Sequence, residues 1–479
     1  MPHDWRRSFL SIRHTKIVAT LGPASSSSEM VESLVRAGMD VARINASHGT
    51  GEQRAALIRT ARAAAERAAR PVAVLVDLQG PRIRVGDLPA PVTLEPGAKV
   101  VFAPEGAAGR GEIPTTFDLA ADVRTGAQIL LDDGLIVVEV TAVRPPKVEG
   151  RVRYGGELTS HKGMNLPGVA VSVPPLTDKD RADVAFAVEQ GADYVALSFV
   201  RRAEDLEPLR ALLPAGVRVV AKIEKDTALD DIERIAEASD AIMVARGDLG
   251  VELPFELVPL AQKRVIRVAL EHRRPVITAT QMLESMIHSP RPTRAEASDV
   301  ANAILDGTDA VMLSAETAAG EYPREAIEAM DRIIRAVETD PGQATRPGWP
   351  VSAGVDGRPA RSEHAVAAAA VAAARMLHAP LIVTFTKSGF SARVVAASRP
   401  PMPVLGVTDG EQTYRQLALV WGVVPMLVGG PPRYDAMLDA ARGRILDSGL
   451  AKKGDRVVVT AGVPFDVPGT TNLVKVEEV

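Results

Sequence analysis

Two charged residues end a strand-like run at residues 217–226, VRVVAKIEKD. The run is rich in β-branched residues, which indicates a buried strand, and residues two apart on a strand share a face, so Lys222 and Glu224 should project together. The next strand-like run ends in MVARGDLG, which brings Asp248 to the same predicted edge. A lysine beside two carboxylates suits both Mg²⁺ and the charge on a transferring phosphoryl group, so the pattern suggests phosphoryl transfer.

Further polar side chains occur at the ends of other strand-like runs. They are Arg43, Asn45, Ser47, Asp77, Thr280, Ser314 and Glu316. Arg43 could contact a phosphate with both arms of its guanidinium. The chain has no G-x-x-x-x-G-K-[ST] sequence, so we do not expect a P-loop to hold a nucleotide.

Each of these residues also has a simpler structural interpretation. Lys222 and Glu224 could form an ion pair at a strand end, and Asp248 could cap the turn that follows it. Arg43 could pair with an acid at the surface. For each residue alone the simpler interpretation is favoured, but the coincidence of acids, bases and hydroxyls at one predicted edge favours a site.

The elements that position these residues follow a repeating pattern. Eight strand-like runs alternate with helical patterns over residues 15–81 and 175–340, which we interpret as the catalytic domain. Apolar strands separated by crossover helices indicate a parallel sheet, and eight units predict a closed (β/α)₈ TIM barrel with its site at the C-terminal ends of the strands. An open doubly wound sheet is the alternative, which the strand count alone does not exclude.

Other segments interrupt or flank this repeat. Residues 82–174 are rich in Val, Gly, Pro and Thr and predict a small β-barrel domain inserted after the third strand. Residues 1–14 are interpreted as an N-terminal segment and residues 341–360 as a Pro- and Gly-rich linker. Residues 361–479 return to an αβ alternation and predict a separate C-terminal α/β domain.

Length and charge limit the classes of protein that fit. The chain has 479 residues and a net charge of -4, which gives no basic field for nucleic acid or an anionic membrane. It contains no cysteine, which excludes disulfides and thiol chemistry, and no run apolar enough to span a bilayer. The first residues lack a secretion signal, so we expect a cytoplasmic protein without nucleic-acid or membrane partners.

Longer motifs occur in order from about Thr15 to the C-terminus. They are KIVATLGPAS, GMDVARINASHG, DLQGPRIRVG, HKGMNLPG, AKIEK, MVARGDLGVELP, the block at residues 278–323 and AGVPFDVPGTTNLVKV. Together they resemble the pyruvate kinase family. The resemblance implies an enzyme that uses Mg²⁺ (or Mn²⁺) to transfer a phosphoryl group from phosphoenolpyruvate to ADP, giving pyruvate and ATP at the last step of glycolysis. It also implies that the inserted domain closes over the site as a lid.

The resemblance assigns roles to individual residues. Lys222 would stabilise the transition state, Arg43 would bind the phosphate of phosphoenolpyruvate, and Glu224 with Asp248 would hold the metal. The substrate carboxylate would face Gly247, Asp248 and Thr280. Delivery of a proton to the enolate would involve Thr280, Ser314 and Glu316. The nucleotide would contact Asn45, Ala46, Ser47, His48, Arg84 and Lys162.

One departure from the family pattern concerns potassium. Many members bind K⁺ at positions that match Asn45, Ser47, Asp77 and the carbonyl of Leu78. Those members typically read DTKGPEIRTG where this chain reads DLQGPRIRVG, so Arg82 stands in place of a glutamate. Because a fixed cation could substitute for a bound one, we predict activity without K⁺. The alternative is that Arg82 points to solvent at the hinge of the insert.

A second departure is Ala46, where many members carry phenylalanine; we expect modest effects from this change.

The resemblance also implies regulation and assembly. The segment TKSGFS resembles the family's phosphate-binding loop for allosteric effectors, with contacts at Thr386, Lys387, Ser388 and Ser391. An ordinary strand-to-helix turn is the alternative. A homotetramer that responds to a phosphorylated effector is therefore expected. The competing functions are a catalytically inactive sugar-phosphate sensor and another Mg²⁺-dependent, enolate-forming TIM-barrel enzyme, such as a lyase.

Overall fold

The computed structural model describes residues 12–340, 361–429, 434–463 and 470–479. The predicted linker at residues 341–360 and most of the predicted N-terminal segment lie outside the described residues. None of the described helices combines the length and the apolar character needed to cross a membrane.

Eight parallel strands form a closed barrel, so the predicted TIM barrel is confirmed and the open sheet is wrong. In chain order the barrel strands are β1 (Lys16–Leu21), β2 (Val41–Asn45), β3 (Ala73–Asp77), β12 (Tyr194–Leu197), β13 (Arg218–Ile223), β14 (Ala241–Ala245), β15 (Val276–Ala279) and β16 (Ala310–Leu313). Each strand pairs with its neighbours in this sequence, and β16 pairs with β1 to close the ring.

Helices connect the strands around the outside of the barrel. They are α1 (Ser28–Ala37), α2 (Gly51–Arg67), α3 (Asp178–Glu189), α4 (Glu207–Leu212), α5 (Thr227–Asp230), α6 (Ile232–Ala238), α7 (Arg246–Glu252), α8 (Val258–Glu271), α9 (Arg294–Asp306), α10 (Ala315–Ala318) and α11 (Pro323–Glu338). Thr50, Thr177 and Thr293 begin α2, α3 and α9 with capping boxes. These caps fix where the helices begin.

The barrel strands are apolar on both faces because they separate two cores. Val18, Leu75 and Met243 point inward and fill the barrel. Ile17 directly precedes Val18, and Val74 directly precedes Leu75. Both pack outward against the helices. Since the interior is filled with side chains, polar groups are accessible only near the strand ends, where sites in this fold lie.

The insert follows β3 and contains eight strands. They are β4 (Val92–Leu94), β5 (Lys99–Pro104), β6 (Ile113–Thr115), β7 (Gln128–Leu131), β8 (Ile136–Arg144), β9 (Lys147–Tyr154), β10 (Gly156–Leu158) and β11 (Met164–Asn165). Six pair in the order β11-β7-β8-β9-β5-β6, and β4 pairs with β10. Residues 83–86 join the two edges of the six-stranded sheet, because Val85 bridges to Thr115 and Arg84 bridges to Gly163. This short segment thus bridges to both edges of the six-stranded sheet, which packs around one apolar core.

The C-terminal domain is a five-stranded α/β unit. Its elements are α12 (Ser362–Met376), β17 (Ile382–Phe385), α13 (Phe390–Ala397), β18 (Val404–Thr408), α14 (Glu411–Gln416), β19 (Val423–Leu427), α15 (Tyr434–Asp447), β20 (Arg456–Ala461) and β21 (Leu473–Glu478). The strand order is β19-β18-β17-β20-β21, and only β21 runs antiparallel to its neighbour.

The C-terminal domain contacts the N-terminal ends of the barrel strands. Asp193, just before β12, accepts a hydrogen bond from Arg415 at 3.0 Å, and the Tyr194 hydroxyl donates to the carbonyl of Gln416 at 2.8 Å.

Candidate active site

The strand-end residues converge on one pocket at the C-terminal mouth of the barrel. Its empty volume, including the space at its opening, is about 420 Å³. The predicted site residues that line it are Arg43, Asn45, Ser47, Leu78, Arg82, Lys222, Glu224, Asp248 and Thr280. They come from β2, β3, β13, β14 and β15 or from the turns after these strands, so the barrel brings together side chains that are far apart in sequence.

Lys222 has three polar partners within this pocket. Its Nζ lies 2.8 Å from Oε1 of Glu224, 3.1 Å from Oδ1 of Asp77 and 2.7 Å from Oγ of Ser198. Burial alone would lower the pKa of Lys222, but Asp77 and Glu224 raise it above the ordinary value for lysine. The ion pair of the simpler interpretation is therefore present, and it holds a charged ammonium at the pocket wall.

Asp77 orients two cations. The Nε of Arg43 donates to Oδ2 of Asp77 at 2.8 Å, and Nη1 of Arg43 donates to the Thr20 hydroxyl at 2.9 Å. Although burial would raise the pKa of Asp77, Lys222 and Arg43 hold it below its usual range. Asp77 therefore holds two cations beside the pocket, where their N–H groups can contact a phosphate.

Glu224 and Asp248 supply the carboxylates of the pocket. Oε2 of Glu224 accepts the backbone N–H of Phe199 at 2.7 Å. Burial raises the pKa of Glu224, Lys222 opposes the increase, and the nearby charge of Asp248 adds to it. A divalent cation bound by these two hard oxygen ligands would offset their mutual repulsion, so the donor set fits Mg²⁺.

The protein alone does not supply a complete metal shell. In the part of the chain that the structure describes, no three or more His, Asp or Glu side chains form a group that could hold a metal. Water and substrate oxygens would have to supply the remaining ligands, as is common for Mg²⁺ in phosphoryl-transfer sites.

Thr280 occupies an unusual backbone conformation at the end of β15. Its φ is 68°, which is uncommon for a β-branched residue and is often found at functional sites. Its Oγ1 accepts the N–H of Gly247 at 2.7 Å and donates to the carbonyl of Ala279 at 2.6 Å. Arg246 donates to the Thr280 carbonyl at 2.6 Å. These bonds hold Thr280 and Gly247 together at the start of α7.

Ser314 directly follows β16 and Glu316 lies in the short helix α10, beside β15 in the barrel, and neither lines the pocket. The Glu316 carboxylate accepts the backbone N–H groups of Ser314 at 2.7 Å and Leu283 at 3.2 Å. Burial raises the pKa of Glu316, and these donors oppose the increase only in part. A carboxyl group with a raised pKa suits a proton relay.

Arg82 lies between the pocket and the cleft beneath the insert. Its Nη2 is 3.5 Å from Oδ1 of Asp248, and its guanidinium is 5.7 Å from the centre of the Phe199 ring. The side chain is 40% exposed, so it contacts both solvent and the pocket. Its charge therefore faces the carboxylate that is predicted to bind the metal.

Three of the four residues predicted to bind K⁺, Asn45, Asp77 and Leu78, already use an oxygen in a hydrogen bond or ion pair with the chain. Oδ1 of Asn45 accepts the N–H of Ser47 at 3.0 Å, and the carbonyl of Leu78 accepts the Ser198 hydroxyl at 2.7 Å. Asp77 is paired with Arg43 and Lys222.

The remaining predicted nucleotide contacts do not line the pocket. Arg84 and Lys162 belong to the insert, where Arg84 donates to the His161 carbonyl at 2.8 Å and Lys162 contacts Asp132 at 2.7 Å. His48 is exposed in the turn after β2. A cleft of about 550 Å³ between insert and barrel adjoins the pocket through Arg82 and Asp248, which line both. The structure thus separates these residues from the barrel pocket.

Several supporting residues were missed by the sequence analysis. Ser198 directly follows β12, so the strand-end rule could have found it. No such sequence signal marks the residues that hold Ala46 in place. The Ala46 carbonyl accepts hydrogen bonds from Lys179 at 2.7 Å and from Arg54 at 3.1 Å. Both cations contact Asp183, at 2.6 and 2.8 Å. These residues lie on α2 and α3 and hold the loop that carries Asn45 to His48.

The predicted effector loop lies in the C-terminal domain, between β17 and α13. Lys387 is paired with Asp409 at 2.6 Å, and the Ser391 hydroxyl lies 2.8 Å from that of Thr471. Thr386 joins the sheet through its N–H, which donates to Val407 at 3.0 Å, and the Ser388 carbonyl accepts hydrogen bonds from arginines. The loop lies on the domain that packs against the opposite end of the barrel from the pocket.

Comparison with known proteins agrees with this architecture. The family model described as pyruvate kinase, barrel domain, matches residues 12–327, and the model described as pyruvate kinase, alpha/beta domain, matches residues 364–477. The chain is 45% identical to a pyruvate kinase of Agrobacterium vitis, over 98% of this chain and 99% of that protein. It is 47% identical to a pyruvate kinase of Geobacillus stearothermophilus, over 97% of this chain and 80% of that protein.

A solved structure shows the same overall fold. The crystal structure of a pyruvate kinase from Cryptosporidium parvum aligns with a TM-score of 0.93 at 33% sequence identity, covering 100% of this chain and 98% of that chain. On the evidence of both domain models, of near full-length relatives and of this likeness, the chain belongs to the pyruvate kinase family.

Proposed function

We propose that this protein is a pyruvate kinase, a phosphotransferase that moves the phosphoryl group of phosphoenolpyruvate to ADP and forms pyruvate and ATP. The observation that carries the proposal is the placement of Lys222, Arg43, Glu224 and Asp248 around one pocket at the barrel mouth. We place the reaction at the last step of glycolysis, and in the cytoplasm, by family membership.

The pocket residues divide the work of binding and transfer. Arg43, oriented by Asp77 and Thr20, binds the phosphate of phosphoenolpyruvate. Lys222 balances the charge that spreads over the phosphoryl oxygens as the bond to the enol oxygen breaks and a bond to a terminal ADP oxygen forms. Glu224 and Asp248 would hold Mg²⁺, which would supply Lewis-acid stabilisation of the negative charge on the phosphoryl group.

The second half of the reaction protonates the enolate of pyruvate at its methylene carbon. Thr280 and Gly247 orient the substrate carboxylate, and a proton passes through the group of Thr280, Ser314 and Glu316. The raised pKa of Glu316 supports its role as the reservoir of that proton.

The nucleotide binds in the cleft between insert and barrel. The loop from Asn45 to His48 contacts its phosphates from the barrel side, and Arg84 and Lys162 contact them from the insert. Because these two residues are separated from the barrel pocket, closure of the insert as a lid completes the site.

Activity does not require K⁺ in this proposal. Arg82 provides a fixed positive charge 3.5 Å from Asp248, and the Leu78 carbonyl and Asn45 amide oxygen already accept hydrogen bonds from the chain.

The protein is a homotetramer that a phosphorylated effector regulates through Thr386, Lys387, Ser388 and Ser391. Support for assembly comes from apolar side chains that are unusually exposed. Phe255 is 84% exposed and Leu260 is 62% exposed beside and on α8, and Val476 is 44% exposed on the edge strand β21.

The decisive experiment is an assay of pyruvate formation from phosphoenolpyruvate and ADP with Mg²⁺, first in a K⁺-free tetramethylammonium buffer and then after addition of KCl. We expect rapid turnover before KCl and little change after it. Activity that appears only with KCl would support the kinase assignment and refute the proposed role of Arg82. If no pyruvate forms in either buffer, with or without sugar phosphates, the sensor function replaces the proposal.

A further inference from the structure

A second cavity lies at the opposite end of the barrel, where the C-terminal domain packs against it. Arg273 and Arg274, after α8, line its barrel side, and Arg393 of α13 lines its other side. Its empty volume of about 240 Å³ includes open solvent at its mouth, and the centre of a water molecule can reach only about 10 Å³ of it, so the site is open to solvent rather than enclosed. We call it the basal arginine site, defined by these three residues.

The three guanidiniums lack carboxylate partners. Arg393 donates to the Ser388 carbonyl at 3.1 Å, and Arg274 donates to the carbonyls of Ala236 and Glu237 at 2.9 and 2.8 Å. Among the described residues, none of the three arginines has a carboxylate oxygen within 4.0 Å. Backbone carbonyls satisfy donors but bring no net negative charge, so the cluster stays strongly positive.

Two of the nearby acids are already paired with other cations, and Glu363, which favours the charge of Arg273, lies more than 4.0 Å from that guanidinium. Asp309 also lines the cavity, but it is paired with Arg399 at 3.1 Å. Asp240 is paired with Arg210 at 2.9 Å and with Arg218 at 3.2 Å. Burial, together with the charge of Arg218, lowers the pKa of Arg393 to about 10, so Arg393 remains charged at neutral pH in an environment that disfavours its charge.

We propose that the basal arginine site binds a tetrahedral oxyanion, either free phosphate or the phosphate group of a small phosphorylated metabolite. Guanidinium groups match the geometry of phosphate oxygens, and the ligand supplies the negative charge that the cluster lacks. The site differs from the barrel pocket, which lies at the other end of the strands, and from the effector loop at Thr386 to Ser391.

The position of the site gives its occupation a physical consequence. Arg273 and Arg274 belong to the barrel, whereas Arg393 belongs to the C-terminal domain. A bound oxyanion therefore contacts both domains and stabilises their interface. Because Arg393 and Arg218 both donate to the Ser388 carbonyl, the ligand also stabilises the base of the predicted effector loop.

The test is thermal unfolding of the full chain at constant ionic strength, with NaCl replaced stepwise by inorganic phosphate or by glycerol phosphate. We expect a saturable rise in Tm. Arg273→Gln should raise the half-saturating concentration by ~10-fold, since one charge-assisted contact to the anion is lost. Arg393→Met should have the same effect. Within the described residues the side chain of Arg273 makes no hydrogen bond or ion pair, and its backbone N–H bond to the Leu270 carbonyl does not depend on the side chain, so its replacement should leave the fold intact even if Arg393→Met fails to fold.

Matched variants separate this site from the two other phosphate sites. Lys387→Gln alters the effector loop, Lys222→Met alters the barrel pocket, and neither should change the phosphate titration by more than about twofold. Tighter binding of glycerol phosphate than of phosphate would identify a phosphorylated metabolite as the ligand class, and equal binding would identify free phosphate. The proposal is overturned if Arg273→Gln and Arg393→Met titrate like the unaltered protein, or if only Lys387→Gln or Lys222→Met loses the effect. None of these measurements requires catalytic activity, so failure here is distinct from failure of the proposed kinase.

Discussion

At the scale of single residues, the ammonium of Lys222 determines the charge balance of the pocket. Its single positive charge lies against Asp77 and Glu224, two carboxylates that are each 1% exposed, and the ammonium remains at the pocket wall. A buried acid without a partner is costly, so the same residue has a structural and a proposed catalytic role.

Lys222→Met should therefore have two effects. We expect turnover to fall by at least ~100-fold, because charge stabilisation in the transition state is lost. We expect the free energy of unfolding to fall by about 3 kcal/mol, because two buried carboxylates lose a cation. Steady-state pyruvate formation and urea unfolding measure the two effects. Lys263→Met, at an exposed position of α8, is the control; undiminished turnover in Lys222→Met would remove Lys222 from its proposed role.

Arg82 tests the charge-compensation argument. Arg82→Glu removes a positive charge near Asp248 and adds a negative one, so we expect activity to become dependent on KCl. Arg82→Lys keeps the positive charge, so its activity should remain independent of KCl. Pyruvate formation across a KCl series at constant ionic strength distinguishes the two variants. If the activity of Arg82→Glu does not depend on KCl, the charge-compensation argument is contradicted.

At the scale of elements, helices α2 and α3 position the loop after β2. Asp183 of α3 holds Arg54 and Lys179, and both cations donate to the carbonyl of Ala46. The loop is thus anchored by its backbone rather than by the side chain of residue 46, which is consistent with a modest effect of having alanine there.

Asp183→Asn should weaken this anchor. We expect the KM for ADP to rise about fivefold with little change in kcat. The loop proposed to contact ADP would be held less firmly, whereas the residues around the transferring phosphoryl group would stay in place. Asp178→Asn, at an exposed position in the first turn of the same helix, is the matched control. A loss of stability in Asp183→Asn without any change in the KM for ADP would show that Asp183 only supports the fold.

At the scale of the whole molecule, Lys16 connects the barrel to the C-terminal domain. Its Nζ donates to the carbonyl of Val423 at 2.7 Å, and the residue is 6% exposed. Burial lowers its pKa to about 8, with Asp40 opposing the change and Arg13 and Arg70 adding to it.

This shift predicts a pH-dependent stability. Between about pH 8 and the ordinary lysine pKa of 10.5, the unfolded chain binds a proton at Lys16 that the folded chain does not, so this group makes the free energy of unfolding increase with pH in that window. Urea unfolding between pH 7 and 10 should show this contribution in the unaltered protein. Lys16→Met should reduce the slope, and an identical slope in both proteins would contradict the assignment.

Assembly is the second property at this scale. If the exposed apolar residues at α8 form a subunit interface, Leu260→Asp should convert tetramers into smaller species, because a charge would be buried at the contact. Sedimentation velocity measures the change. Leu135→Asp, at a residue of the insert that is 71% exposed, is the control; if both variants sediment like the unaltered protein, the interface lies elsewhere.

Much of the fold and of the site could be predicted from the sequence because both depend on local periodicity. Strand-like runs separated by helical patterns are sufficient to indicate a parallel sheet, and the two-residue period of a strand fixes that Lys222 and Glu224 share a face; only the structure excluded an open sheet. Once strand ends meet at one mouth, Arg43, Asp248 and Thr280 follow by the same rule. The resemblance of the motifs added roles to these positions, which remain predictions for the measurements above.

Only the tertiary structure could show which partners hold these side chains. Thr20 supports Arg43, Ser198 joins Lys222 to the Leu78 carbonyl, and Lys179 reaches the Ala46 carbonyl across 133 positions of sequence. The bridges from Arg84 and Val85 to the two edges of the insert's sheet depend on packing in the same way. So does the grouping of Arg273, Arg274 and Arg393 at the base of the barrel without a carboxylate of the described residues within 4.0 Å. The periodicity of the sequence determined the elements and the faces that carry charge. Contacts between distant elements depend on how those elements pack in space, so folding alone decided which charges are neutralised and which still lack a counter-ion.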